Sequence, residues 1–281
     1  MTEIINGATE IYGLIGDPVE HSLSPHMMNA AFSFCKLDAR YMALRVKMED
    51  VSLAISGIRS LNFAGVNVTL PHKSTVIPYL DEVTPFAKKI GAVNTISNVS
   101  GYLKGTNTDF LGFLRSLKTL NFSPKNKVIG ILGAGGSARA LIVGLADAGA
   151  YRLIIYNRTA ERAEKLVAEF SQYFQETKFE AVTLQTIQET NLDLLVNTTT
   201  VGMFSSELPV DLNLCSKINF LVDLIYSPRQ TSLLKQAQKM GITSLNGIGM
   251  LLYQGCESFT FWTGKDAPEE VMRNRLLGLI D

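Results

Sequence analysis

The residues most able to do chemistry fall in short clusters. Gly133-Ala134-Gly135-Gly136-Ser137-Ala138 follows an apolar run at 128–132 and precedes a helical apolar pattern through Ala140, Leu141, Val143, Gly144, Leu145 and Ala148. Strand, glycine turn and helix in that order are a dinucleotide-binding signature. Gly133 permits the turn, Gly135 lets backbone approach a pyrophosphate, and Ala138 is small enough for close helix–strand packing. The helix N-terminus adds free N–H groups and a positive dipole end. The next apolar run, 151–156, ends at Asn157-Arg158-Thr159. An NAD site needs an acid near that point for the ribose 2′-hydroxyl, and none stands there. Arg158 does, with Arg162 in the first turn of a helix that Thr159 would cap. Cations are mildly disfavoured at a helix start. Two of them suggest a counter-anion, and the 2′-phosphate of NADP fits. The competing reading is a solvated helix start, with Arg162 beside Glu161 and Glu164.

Other clusters lie at the ends of expected strands, where open α/β sheets place ligands. They are Ser22 with Ser24, then Asn67-Val68-Thr69-Leu70-Pro71-His72-Lys73, Gly91-Ala92-Val93-Asn94-Thr95, and Gly105-Thr106-Asn107-Thr108-Asp109. None has the spacing of a serine-hydrolase elbow, a zinc site or a P-loop. Hydride transfer needs an acid or base beside the carbinol oxygen, and a lysine serves if desolvation or a helix N-terminus lowers its pKa. Lys73 is expected at a helix start following Pro71, with Asp109 to orient it. Each residue also has a plain structural reading: Lys73 a solvated surface lysine, Asp109 a helix N-cap, Asn67 and Asn94 turn formers. His72 is expected to face away from the chemistry.

The elements that must position these clusters alternate. Strands are expected at 10–15, 40–46 and 65–70, with a hairpin from 93–96 and 101–103, and helices at 26–34 and 49–61. A helix at 110–120 leads into a second run of strands near 128–132, 151–156, 179–184, 192–197 and 220–224, and helices at 247–262 and 268–279 close the chain. The pattern predicts an α/β protein of two domains with mainly parallel sheets. Residues 1–109, completed by 247–281, would form the substrate-binding domain. Residues 110–246 would form a Rossmann-type NADP-binding domain, with a cleft between the two.

At 281 residues there is ample core for both. Twenty-six basic and 26 acidic residues cancel, which argues against a nucleic-acid footprint. Cys35, Cys215 and Cys256 are few, odd in number and far apart, so neither zinc nor a disulfide framework is expected, and a reducing cytoplasm is the natural setting. Residues 1–10 do not read as a signal peptide, and no apolar run spans a bilayer.

Taken together, the clusters resemble the bacterial shikimate dehydrogenase family over essentially the whole length. The resemblance is carried, in order, by His21-Ser22-Leu23-Ser24-Pro25, the Asn67–Lys73 cluster, Gly91-Ala92-Val93-Asn94-Thr95, Asn107-Thr108-Asp109, Gly133-Ala134-Gly135-Gly136, Asn157-Arg158-Thr159, Asp223-Leu224-Ile225-Tyr226, and Asn246-Gly247-Ile248-Gly249-Met250-Leu251 with Gln254. Phe110 departs from it, standing where the family more often has glycine.

The resemblance implies NADPH-dependent reduction of 3-dehydroshikimate to shikimate, with no metal. Lys73 and Asp109 would be the acid–base pair. Ser22, Ser24 and Tyr226 would bind the carboxylate, and Asn67, Thr69, Asn94 and Gln254 the ring hydroxyls. Thr199, Leu224, Gly247 and Met250 would join the glycine turn and the arginines in lining the cofactor. A homodimer is the one protein partner to consider. Alternatives are a quinate/shikimate dehydrogenase of broad cofactor use, and a non-catalytic NADP-binding regulatory relative. An amino-acid or folate dehydrogenase of similar architecture would lack the serine pair and the Asn/Thr/Lys cluster.

Overall fold

The computed structural model describes residues 5–183, 187 and 190–279. Of the segments discussed above, residues 1–4, 184–186, 188, 189, 280 and 281 lie outside the described residues. The chain divides into two compact units, Met1–Gly112 with Leu251–Asp281, and Phe113–Met250.

The first unit holds β1 (Glu10–Gly16), α1 (Ser24–Phe34), β2 (Ala39–Arg45), α2 (Val51–Ser60), β3 (Gly65–Val68), β4 (Glu82–Val83), α3 (Pro85–Ile90), β5 (Thr95–Val99) and β6 (Tyr102–Thr106). Helix α4 (Asp109–Lys118) leaves it, α8 (Ile248–Thr263) re-enters it, and α9 (Glu269–Leu277) ends it. Its sheet runs β2-β1-β3-β5-β6-β4. β1 is parallel to both neighbours, whereas β5 is antiparallel to β3 and β6. That reversal matters for the site. The start of β5 lies at the same sheet edge as the ends of β3 and β6, so Asn67 pairs with Thr95, and Thr95 with Thr106.

Both faces of this sheet are covered, as a strand buried on both sides requires. One core joins Tyr12 and Leu14 of β1, Met27, Met28 and Phe32 of α1, Leu252 and Phe259 of α8, and Met272 and Leu276 of α9. The other joins Ile15, Val66, Val68, Ile96 and Leu103 to Ile55 and Ile58 of α2. The free edge of β2 is partly closed by Asn29 of α1. Its amide donates to the Tyr41 carbonyl and its oxygen accepts from the Tyr41 N–H, each at 2.9 Å, which blocks strand addition there.

The helix expected after Pro71 does not form. Residues 71 and 73–76 are turns, followed by a short 3₁₀ segment, Ile77–Tyr79. Pro78 has no N–H to complete a helical turn begun near Ser74, and Val76 and Ile77 add β-branched crowding. β4 and α3 are short elements whose few residues carry no clear period.

The second unit contains β7 (Val128–Leu132), α5 (Gly136–Asp147), β8 (Arg152–Tyr156), α6 (Ala160–Phe170), β9 (Lys178–Val182), β10 (Leu192–Asn197), β11 (Ile218–Asp223), α7 (Ser232–Lys239) and β12 (Thr243–Leu245). The strand order β12-β11-β10-β7-β8-β9 is parallel throughout. This is the doubly wound order, and its switch point falls between β7 and β10. Leu132 pairs with both Tyr156 and Asn197, and Asn197 with Asp223, so four strands end level at one edge. Among the described residues no helix is long and apolar enough to cross a membrane.

Candidate active site

In the first unit the strand ends gather a buried polar cluster. Lys73 Nζ donates to Asp109 Oδ2 at 2.5 Å, with side chains 14% and 6% exposed. Asn94 Nδ2 donates to the other carboxylate oxygen at 2.8 Å, so both oxygens of Asp109 have a donor. The Lys73 carbonyl accepts from Val93 N–H at 2.7 Å, tying the turn to the start of β5. Asp109 opens α4, and its own N–H donates to Asn107 Oδ1 at 3.0 Å. Lys73 therefore sits in a turn. The carboxylate supplies its setting, where the sequence suggested a helix N-terminus.

Asn94 is saturated. Its amide also donates to Thr108 Oγ1 at 3.0 Å, and its oxygen accepts from Thr108 N–H at 2.8 Å and Thr95 Oγ1 at 2.9 Å. A ligand hydroxyl bonding Asn94 must replace one of these. Asn67 is committed as a donor: its Nδ2 lies 3.0 Å from the Asn94 carbonyl, Thr95 Oγ1 and Ser258 Oγ. Its oxygen accepts from the Tyr41 hydroxyl at 2.8 Å. One lone pair of that oxygen remains, so Asn67 can accept from a ring hydroxyl but has no spare hydrogen. Burial pushes the Tyr41 phenol well above its ordinary pKa, with the Ser24 hydroxyl beside it acting weakly the other way. The phenol thus stays protonated and keeps donating to Asn67.

Ser24 N–H donates to Ser22 Oγ at 3.3 Å, which folds the two serines together at the start of α1. Thr69 is half-buried just past β3, its backbone engaged on both sides. Gln254 turns back on its own helix, donating to the Leu251 carbonyl at 2.9 Å. The Gln254 backbone carbonyl accepts from Ser258 Oγ at 3.0 Å, and Ser258 continues to Thr95 at 2.8 Å and Thr108 at 3.2 Å. Phe110 stacks on Phe86 of α3, ring centroids 4.1 Å apart. Tyr41, Thr95, Thr108 and Ser258 carry this cluster without having been singled out. Thr95 and Thr108 lay inside the quoted clusters, whereas nothing local marks Tyr41 or Ser258.

In the second unit the glycine turn joins β7 to α5. Gly133 has φ +109°, and a side chain there would meet Thr198 Oγ1 at 2.6 Å and Thr199 Cγ2 at 3.0 Å. Gly135 caps α5 with no side-chain bond to the first-turn N–H groups, and nothing lies within 4 Å of where its Cβ would be. The turn thus leaves open space and unspent donors, the cradle an anionic group requires. Gly136, Ser137 and fully buried Ala138 begin the helix against the sheet; Ala134 lies within the turn. Asn157 Nδ2 donates to the Thr159 carbonyl at 2.7 Å. Thr159 stands at the N-cap of α6, but its hydroxyl makes no capping bond. Arg158 and Arg162 are exposed, and among the described residues neither forms an ion pair, Arg162 with Glu161 or Glu164 included.

Beside the turn, Asn197 Nδ2 donates to buried Asp223 at 2.9 Å, while its oxygen accepts from Thr199 N–H at 3.0 Å and Thr199 Oγ1 at 2.8 Å. Asp223 also accepts from Thr231 Oγ1 at 2.6 Å and Ile225 N–H at 3.2 Å. Desolvation raises its pKa, only partly offset by those donors. Tyr226 is half-buried, and burial raises its phenol pKa. Met250 is buried.

Gly247 leaves no room for a side chain: a Cβ would stand 1.9 Å from the Leu224 carbonyl oxygen. Gly247→Ala is expected to cost about 1–3 kcal/mol or more through forced backbone displacement. A urea melt of the variant should show it, and an unchanged midpoint would mean that this contact relaxes freely.

A lysine–carboxylate pair can move a proton but cannot hold or release a hydride. A redox partner must come from elsewhere, and a doubly wound sheet with a glycine turn at its edge is built to hold a dinucleotide. By class this is a dinucleotide-dependent oxidoreductase. Comparison with known proteins narrows the class. Residues 14–96 match the shikimate dehydrogenase substrate binding domain, 116–226 the shikimate/quinate 5-dehydrogenase family, and 247–277 the shikimate 5′-dehydrogenase C-terminal domain. The shikimate dehydrogenase (NADP(+)) of Geobacter metallireducens is 43% identical, covering 98% of this chain and 99% of the relative. A crystal structure of a shikimate dehydrogenase in complex with NADP+ superposes with a TM-score of 0.91 at 40% identity, over 99% of this chain and 98% of that one. The Thermus thermophilus enzyme in complex with NADP(H) and shikimate gives 0.87 at 36% identity, over 96% and 99%. The chain belongs to the shikimate dehydrogenase family.

Proposed function

We propose that this chain catalyses the reversible NADPH-dependent reduction of 3-dehydroshikimate to shikimate, a step toward aromatic amino acids. The observation that carries the reading is the buried Lys73–Asp109 pair, which puts a proton donor among neutral polar groups suited to a hydroxylated acid. The first unit binds the substrate and the second binds NADP. Ser22 and Ser24 take the carboxylate. Asn67, Thr69, Asn94 and Gln254 take the ring hydroxyls, Asn67 through its remaining lone pair, Asn94 by exchanging one of its bonds to Thr95 or Thr108, and Gln254 after its amide leaves the Leu251 carbonyl.

Bound NADPH supplies the hydride that adds to the C3 carbonyl carbon. Lys73 donates its proton to the carbonyl oxygen as the alkoxide develops, and takes a replacement from water. Asp109 holds the ammonium in place, and its charge offsets the cost of burying that cation. Asn94 orients the carboxylate. The N-terminus of α5, reached through Gly133, Ala134, Gly135, Gly136, Ser137 and Ala138, takes the pyrophosphate. Arg158 and Arg162 grip the 2′-phosphate beside Asn157 and Thr159, while Thr199, Leu224, Gly247 and Met250 line the ribose and nicotinamide. Three cysteines without a disulfide support a cytoplasmic setting.

Nicotinamide absorbance with shikimate or quinate, each paired with NADP or NAD, tests the reading. Fast reduction is expected only with shikimate and NADP. Comparable rates with quinate or NAD would move the chain to the broad-specificity branch of the family, and no turnover despite cofactor binding would favour a regulatory relative.

A further inference from the structure

His72 precedes Lys73 and is fully buried. Its Nε2 lies 2.6 Å from the Val46 carbonyl, just past the end of β2. A carbonyl only accepts, so the ring hydrogen sits on Nε2 and is donated to Val46. Nδ1 is then a bare acceptor. It is the one buried side-chain nitrogen or oxygen among the described residues with no hydrogen-bond partner. An unpartnered buried acceptor lowers stability, and an apolar ring of similar size would remove it. Stability alone therefore disfavours histidine at this position, unless the Nε2–H···O bond is needed.

What that bond holds is the turn carrying Lys73. His72 N–H donates to the Thr69 carbonyl at 2.9 Å, and the His72 carbonyl accepts from Val76 N–H at 3.1 Å, so the ring is fixed to the framework of residues 69–76. The other anchor is the Lys73 carbonyl on Val93 N–H. No α-helix stiffens these residues. The Val46 bond ties the turn to the β2 side, and the Val93 bond ties it to the β5 side. Between these two ties lies the backbone from which the Lys73 side chain reaches Asp109.

We propose that His72 is a positioning residue for Lys73, using its Nε2–H to hold the lysine-bearing turn against the end of β2. The proposal rests on Lys73 being the proton donor. It assigns His72 no contact with substrate, so its loss shows in turnover rather than in binding.

The test is a set of variants of the full chain assayed with shikimate and NADP. H72F keeps the ring and removes the donor; kcat is expected to fall about 10- to 100-fold, as for a catalytic group displaced by about 1 Å. The KM for each substrate should stay within about twofold, since the groups that bind it are untouched. Glutamine places an N–H near the Nε2 position and asparagine near Nδ1, so H72Q should restore most of kcat and H72N should not. In a K73A background H72F should cause no further loss, because the two residues act as one unit. Parental kcat in H72F, rescue by H72N instead of H72Q, or additive losses in the double variant would overturn the proposal. If H72F does not accumulate folded, the H72Q and H72N pair decides alone. A K73A protein with full turnover would remove the lysine's role, and with it this one. A K73A protein that is inactive beside a fully active H72F would remove only the role of His72.

Discussion

Lys73→Ala is expected to lower kcat by about 10²–10⁴-fold, the usual contribution of a positioned general acid. The dissociation constant for shikimate should move by less than about tenfold, because interactions made mainly in the transition state weigh on kcat more than on binding. The physical basis is the 2.5 Å contact with Asp109 in a site where both side chains are largely withdrawn from water. A lysine so placed can give its proton to a developing alkoxide without a solvent molecule intervening. The substitution also leaves Asp109 with the Asn94 amide as its remaining side-chain donor. Breaking a buried pair on one side typically costs about 3–5 kcal/mol. The folded fraction must therefore be measured beside the rate, and Lys73→Met, which keeps most of the apolar stem, separates lost packing from lost chemistry. Titration of shikimate against the apo variants, with stopped-flow turnover on the same preparations, checks both parts. A Lys73→Ala protein that is folded and turns over at the parental rate would take the lysine out of the mechanism.

The joint replacement Arg158→Ala/Arg162→Ala is expected to raise the KM for NADP by at least about a hundredfold, since each charge-assisted bond contributes about 1.5–3 kcal/mol. The KM for NAD should barely change. Both guanidinium groups stand exposed at the start of α6, and neither has an acidic partner among the described residues. Holding two unneutralised cations where the helix dipole opposes them is unfavourable, and a phosphate reverses the sign of that interaction. Because the groups are exposed, salt should weaken the effect as well. Steady-state kinetics with both cofactors at low and moderate ionic strength tests this. If NADP and NAD constants rise together, the arginines support the fold of the turn and do not read the phosphate.

Much of the second unit was legible in the chain order of residues. The strands at 128–132 and 192–197 and the helix beginning at the glycine turn lie where the apolar pattern places them. Each signal is local, carried by consecutive residues whose backbone preferences and periodicity act within about one turn or one strand. The need for glycine at 133 is local in φ, though the closeness of Thr198 and Thr199 adds a second reason that no spacing reveals. In the first unit the helix assigned after Pro71 was wrong, because Pro78 ends any helical ladder before it can propagate. That error also misjudged why Lys73 is suited to its task. β12 was missed as well, its three residues being too few to show a period.

By itself the sequence determined which residue types are present at which strand ends, the dinucleotide turn, the cationic start of α6 and the family. These follow from short-range pattern and from ordered motifs. Only the tertiary structure decided how the strand ends meet. The antiparallel insertion of β5 brings Asn94 and Thr95 to Asn67 and Asp109, and α8 returns over a long separation to bring Ser258 among them. It also decided that Asn94 is saturated, that Asn67 can only accept, and that His72 turns to Val46. Such facts depend on the direction and distance of hydrogen bonds between residues up to 191 positions apart. Strand register sets those distances, and register results from closing the whole sheet rather than from any segment of it.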